Sequence, residues 1–298
     1  MAGDRALAAT AGKDASRRRD AEAWIVLVHA GKRTLVSVAK FTVLSHADVA
    51  PGATYPAPYT TATGVLDARR VSPERYSTWL IDADLDDGAT LTWWTTHGDE
   101  GVYVASGALD VDGHECPTDG AVIVEAGATC TARAVGRTRV VHVGPYAVDQ
   151  PTDGLYGAPS PNDHRVHILG RGGWFASGDR ERVEARWFAD STCPTCRISF
   201  FHVRLREGNR KDIPHTHTQD ELIYVVEGSV VFAQHEYGPR TVLAIPANMR
   251  YSLMTGADGI AFLNYRPDVS VQAYGKVKPP ELEGGIARGG VEVADFVH

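Results

Sequence analysis

The sequence is short of the features that assign a chain quickly. It has no apolar run approaching the ~20 residues that a membrane-spanning helix needs, because its most apolar early stretch, 24–44, is broken by Lys32, Arg33 and Lys40. Basic residues are outnumbered, with 30 Lys and Arg against 37 Asp and Glu. A phosphate-binding footprint spread over the surface is therefore not expected, and neither nucleic acid nor membrane is an expected partner. Four cysteines in 298 residues do not make a disulfide scaffold. Asp4, Asp14 and Asp20 interrupt the order of basic, apolar and cleavage regions that a signal peptide has, so a cytoplasmic location is expected. Residues 1–22, with three consecutive arginines among aspartates, read as a mobile tail. Helical spacing is scarce as well: only 73–80 and 180–189 offer short helices.

What is present is β text. Short runs rich in β-branched and aromatic residues, among them 34–38, 101–104, 121–124, 140–143, 198–203, 222–226, 241–245 and 260–263, are punctuated by Gly, Pro, Asp and Asn. Such spacing is typical of a sandwich or barrel. Between 149 and 164 the text turns to Pro, Asp, Gly and Asn, the composition of a connector. Across it runs a repeat. Asp99-Glu100-Gly101-Val102-Tyr103 matches Asp220-Glu221-Leu222-Ile223-Tyr224 at a separation of 121 positions, and without a gap His114-Glu115 meets His235-Glu236. The expected organisation is a tail (1–22), an N-terminal barrel (23–150), a linker (151–165) and a C-terminal barrel (166–298).

Pro214-His215-Thr216-His217-Thr218-Gln219-Asp220-Glu221 carries the strongest chemical signal. On an extended strand His215 and His217 point to one face, and Glu221 opens the next apolar run. Two imidazoles and a carboxylate that converge are the ligand set of Fe(II), Mn(II), Ni(II) or Zn(II) sites. The bland alternative is a polar sheet rim with two exposed histidines.

With Gly208, His215, His217, Glu221 and Gly228, the chain resembles the first motif of the cupin superfamily: Gly, His-x-His, Glu, then Gly after six residues. Pro246-Ala247-Asn248-Met249-Arg250-Tyr251 stands where the second motif has Pro-x-Gly-x-x-His. The resemblance implies an all-β fold of two tandem jelly-roll barrels with few short helices, a bicupin. It implies one divalent transition metal ion on His215, His217 and Glu221, with Fe(II) favoured and Mn, Ni or Zn as alternatives. Tyr251 replaces the usual fourth histidine. It could ligate as phenolate, act as catalytic acid or base or as hydrogen-bond donor beside the ligands, or form barrel wall.

His202 as a base or replacement ligand and Arg204 as a carboxylate clamp are further candidates, as are Asn264 and Arg266; Phe262 is expected to pack. The register of the repeat sets Trp94, Thr96 and Cys130 against His215, His217 and Tyr251. Only Glu100 survives, so the first barrel is expected to be structural, with Trp93 and Trp94 as an alternative floor of an apolar pocket. Cys193-Pro194-Thr195-Cys196 lacks a second pair and reads as a loop. The expected function is a metal-dependent enzyme acting on a small-molecule substrate. A dioxygenase-like oxygenase is favoured, a non-redox isomerase, lyase or cyclase comes next, and a non-catalytic small-ligand-binding bicupin stands in another class; a homodimer is expected throughout.

Overall fold

The structure, a computed structural model, describes residues 23–29, 32–38, 41–52, 54–148, 165–170, 175–176, 183–190, 195–206, 208–209, 211, 213–232, 234–268, 270–274 and 281–282. The expected tail and the expected linker up to residue 164 lie outside these. The chain forms two compact units, Met1–Lys40 and Phe41–His298. The first holds a two-stranded antiparallel pair, β1 (Ala23–His29) with β2 (Lys32–Val38).

The second unit is a succession of strands: β3 (Thr42–Ser45), β4 (Thr60–Arg70), β5 (Thr78–Trp93), β6 (Glu100–Val111), β7 (His114–Pro117), β8 (Ala121–Val124), β9 (Cys130–Pro145), β10 (Val166–Leu169), β11 (Phe175–Ala176), β12 (Val183–Ala189), β13 (Ser199–Leu205), β14 (His215–His217), β15 (Glu221–Phe232), β16 (His235–Tyr237), β17 (Thr241–Ile245), β18 (Met254–Arg266), β19 (Val271–Tyr274) and β20 (Glu281–Leu282). Among the described residues there is no α-helix, only a 3-10 turn at His46–Asp48 capped by Ser45. The two short helices expected from the sequence are corrected: Thr78 opens β5, and Val183–Ala189 is β12, paired with β11 and β13. Pairing partners on both sides decide an apolar run that short, over weak local propensity.

Two antiparallel sheets form the tandem jelly rolls. One runs β10-β8-β6-β9-β5-β4 with β7 on β6, and the other β11-β12-β13-β18-β15-β17-β3 with β16 on β15. The repeat seen in the sequence is a repeat of register. Glu100 pairs with Val124 as Glu221 pairs with Ile245. Asp99 accepts from the Ala126 amide at 2.8 Å as Asp220 accepts from the Ala247 amide at 2.9 Å. The other oxygen of each aspartate crosses to the opposite barrel, Asp99 to the Arg197 amide and Asp220 to the Ser77 amide and hydroxyl.

The expected boundaries do not separate the sheets. β3, from the N-terminal half, pairs with β17 of the C-terminal barrel, and β10 pairs with β8 of the N-terminal one. Each barrel thus lends an edge strand to its twin. Between the barrels, Phe200 lies against Gly101, His202 and Phe188 pack on Tyr103, and Tyr224 donates to Asp82. Strands covered on both faces read as continuous apolar runs rather than alternating ones, which is how 198–203 and 260–263 appear in the sequence.

Candidate functional site

β14 is three residues long and pairs with β19. Its half-buried Thr216 points away, and His215 and His217 are buried together. Thr218-Gln219-Asp220 turns the chain, and Asp220 ties that turn to Ala247 and Ser77. Glu221 follows at the mouth of β15, fully buried. Tyr251 reaches the same point because its backbone bridges His215 in both directions. Asn248, in the place of the motif's glycine, has φ 62, the left-handed conformation that asparagine tolerates better than most residues.

His215, His217, Glu221 and Tyr251 line one cavity of about 250 Å³ together with Asn264, Arg266 and a wall of aliphatic and aromatic groups. Glu221 is its hub. Tyr251 donates to Glu221 Oε2, Asn264 Nδ2 donates to Oε1 at 2.6 Å, and Arg266 Nη2 donates to Oε1 at 2.5 Å. Burial acts to raise the Glu221 carboxyl, but the charges of His217 and Arg266 with the bonds from Tyr251 and Asn264 outweigh it and hold it at about 2. Glu221 is therefore ionised at neutral pH. His217 Nε2 stands 3.6 Å from Glu221 Oε1 and 3.3 Å from Arg266 Nη2. His215 Nε2 stands 2.9 Å from the Tyr251 hydroxyl oxygen.

The donor chemistry fits a divalent transition ion. The Ile213 carbonyl lies 2.7 Å from His215 Nδ1 and can only accept, so Nδ1 carries a proton. That partner is the one which fixes the tautomer of a metal-ligating imidazole and leaves Nε2 for the ion. As the side chains stand, the Tyr251 hydroxyl and the Arg266 guanidinium lie between the donors. Among the described residues no three His, Cys, Asp or Glu side chains are grouped closely enough to hold a metal.

His202 and Arg204 belong elsewhere, which corrects their expected catalytic place. Phe201, Val203 and Leu205 of β13 line the cavity, so the strand's alternation turns 202 and 204 to its other face. His202 is buried against the Tyr103 ring, and burial followed by the Arg186 charge pushes it down to about 3. Arg204 faces Glu184 at 3.9 Å. Phe262 borders the cavity rather than only packing, and Asn264 and Arg266, weakly signalled in the sequence, both donate to Glu221 Oε1.

At the equivalent point of the first barrel Glu100 is fully buried. Glu100 Oε2 accepts from Trp93 Nε1 at 2.6 Å, Thr60 Oγ1 at 3.0 Å and His142 Nε2 at 2.7 Å. The Tyr55 hydroxyl bonds His142 Nδ1 at 2.7 Å. His142 was missed from the sequence because it lies on β9, which reaches Glu100 only through the β6–β9 register, Val102 opposite His142. Trp93 fills this interior, whereas Trp94 is 59% exposed, so the two indoles do not form a shared floor. His97, beside the expected ligand position, is buried on the Gly98 and Ala128 carbonyls. Burial, with nearby carboxylates, pushes the Cys130 and Cys116 thiols up to about 12. Cys193 lies outside the described residues, and Cys196 is buried.

Neither a protein-family model nor a curated protein sequence matches the chain. Solved structures do. Two variants of Bacillus subtilis oxalate decarboxylase match at TM-score 0.57 with 15% and 16% identity, each over 80% of this chain and 80% of that one. A structure that concerns the Mn(II) centres of the same enzyme matches at TM-score 0.54 and 16% identity, again over 80% of both chains. At such identity the likeness is one of architecture: this chain has the fold of a tandem cupin.

Proposed function

We propose that the chain acts on a small organic molecule bound in the C-terminal barrel, at the end where His215, His217, Glu221 and Tyr251 meet. The observation that carries this is an ionised, fully buried carboxylate facing the same cavity as two imidazoles. His215, His217 and Glu221 would hold one divalent transition ion. The Mn(II) named for oxalate decarboxylase and the tautomer of His215 support that reading. When bound, such an ion supplies Lewis acidity toward a carbonyl or enolate oxygen. The protein's own parts are to orient and to move a proton. Arg266 and Asn264 fix the Glu221 carboxylate, and the Tyr251 hydroxyl, in contact with both His215 and Glu221, can give a proton to a bound substrate or take one from it.

Iron and dioxygenase turnover are the finer reading of the same donors, and a lyase or isomerase uses them equally. Oxygen uptake with Fe(II), against anaerobic turnover with Mn(II), separates the two. A homodimer, whose mass light scattering would report, belongs to the same proposal. A second reading, ligand binding without a metal, is favoured by Arg266, which already sets a cation against Glu221 and His217. Elemental analysis of protein purified without a histidine tag tests the first reading. One ion per chain is expected, lost in His215→Ala and Glu221→Ala and kept in Glu100→Ala. A protein that holds no ion after incubation with Mn(II) and Fe(II) leaves the metal-free reading.

A further inference from the structure

From the way polarity is distributed along the cavity, we infer that its ligand is a neutral, single-headed molecule: an apolar ring or branched chain with one hydroxyl-bearing end. This rests on the C-terminal barrel being the binding site. On β18, residues 260, 262, 264 and 266 share one face. They run Ile, Phe, Asn, Arg toward the end that meets Glu221, over about 20 Å of strand. β13 opposes them in register and supplies Leu205 across from Ile260, Val203 across from Phe262 and Phe201 across from Asn264. The polar groups therefore sit at one end and the apolar groups at the other. A molecule long enough to span the cavity with a charged group at each end would bury one of them among Leu205, Val203 and Phe262, where Thr255 is polar but no lining residue carries a charge to pair it.

Two details describe the head. Arg266 and Glu221 bond each other at 2.5 Å, so in the metal-free protein the guanidinium is paired with an internal carboxylate rather than held for an anionic ligand. Asn264 is 4% exposed and spends its amide nitrogen on Glu221. Its Oδ1 is buried and has no hydrogen-bond partner among the described residues. A buried acceptor without a partner, on a residue that lines the cavity, calls for a donor, and a ligand hydroxyl that reaches Asn264 supplies one. At about 30 Å³ per water, the space equals about eight waters, suited to a single ring with a short substituent.

The test measures dissociation constants by calorimetry for 4-ethylphenol, for 4-ethylanisole (the same body without a donor) and for oxalate, on EDTA-treated and on Mn(II)-treated protein. The expected result is that 4-ethylphenol binds at least tenfold more tightly than either of the others in the EDTA-treated protein. Val203→Phe, which fills the apolar end, should weaken it a further tenfold while the melting curve stays cooperative. Oxalate binding as tightly as 4-ethylphenol, equal binding of the anisole, or indifference to Val203→Phe would each overturn the inference. Binding without any metal or turnover would sink the proposed enzyme and leave the ligand class standing. Mn(II)-dependent oxalate turnover with no phenol binding would do the reverse.

Discussion

At Tyr251 a hydroxyl stands where the second motif has an imidazole, and it touches both His215 and Glu221. Tyr251→Phe removes that bridge without emptying the cavity, so bound ion should persist while turnover falls at least tenfold; metal analysis beside kinetics checks it. Loss of the ion would make the phenol a ligand. Arg266→Met strips the cation from a buried carboxylate and should cost about 3–5 kcal/mol of stability in denaturant melts. His202 gives a pH signature. Its folded value, about 3, lies below the ordinary 6.5, so the unfolded chain takes the proton first. The contribution is complete above pH 6.5 and drains away down to about 3, by up to about 1.4 kcal/mol per pH unit. His202→Phe should flatten stability across that window. The His-Thr-His run and Glu221 are legible in the sequence because local spacing fixes their side. The inward face of β13, covered on both sides, is not, and His202 and Arg204 therefore turn out opposite to expectation.

For the strands and turns, the separation of 121 positions is the most informative regularity, since hydrogen-bond register repeats with it. Gly107 and Gly228 share the repeat and a positive φ, 78 and 66. A Cβ on Gly228 would come within 2.3 Å of the Gly259 carbonyl oxygen, whereas one on Gly113, φ 87, would meet nothing within 4 Å. Gly113→Ala should therefore cost about 1–2 kcal/mol, the left-handed conformational term alone, and Gly228→Ala clearly more because backbone must move. Urea midpoints of the two variants give the comparison. The short helices expected at 73–80 and 180–189 are strands or turn because their fate depends on which neighbours arrive, and neighbours are not written locally.

On the scale of the whole molecule, edge-strand exchange is what a linear reading could not reach, because β3 and β10 pair across the connector. Removing residues 1–40 leaves that exchange intact, and the melting temperature of that variant is the reference. Removing 1–48 also deletes β3, the Phe41–Phe232 stack and the His46–Arg240 contact, and should lower it by several degrees. A protease that cuts only between 149 and 164 would not release two halves. The nicked chain should travel as one particle through a sizing column and come apart only in denaturant. A gene for either repeat alone would encode a barrel with one side of its sheet unlaced, so the duplication that the sequence displays can no longer be undone by simple division.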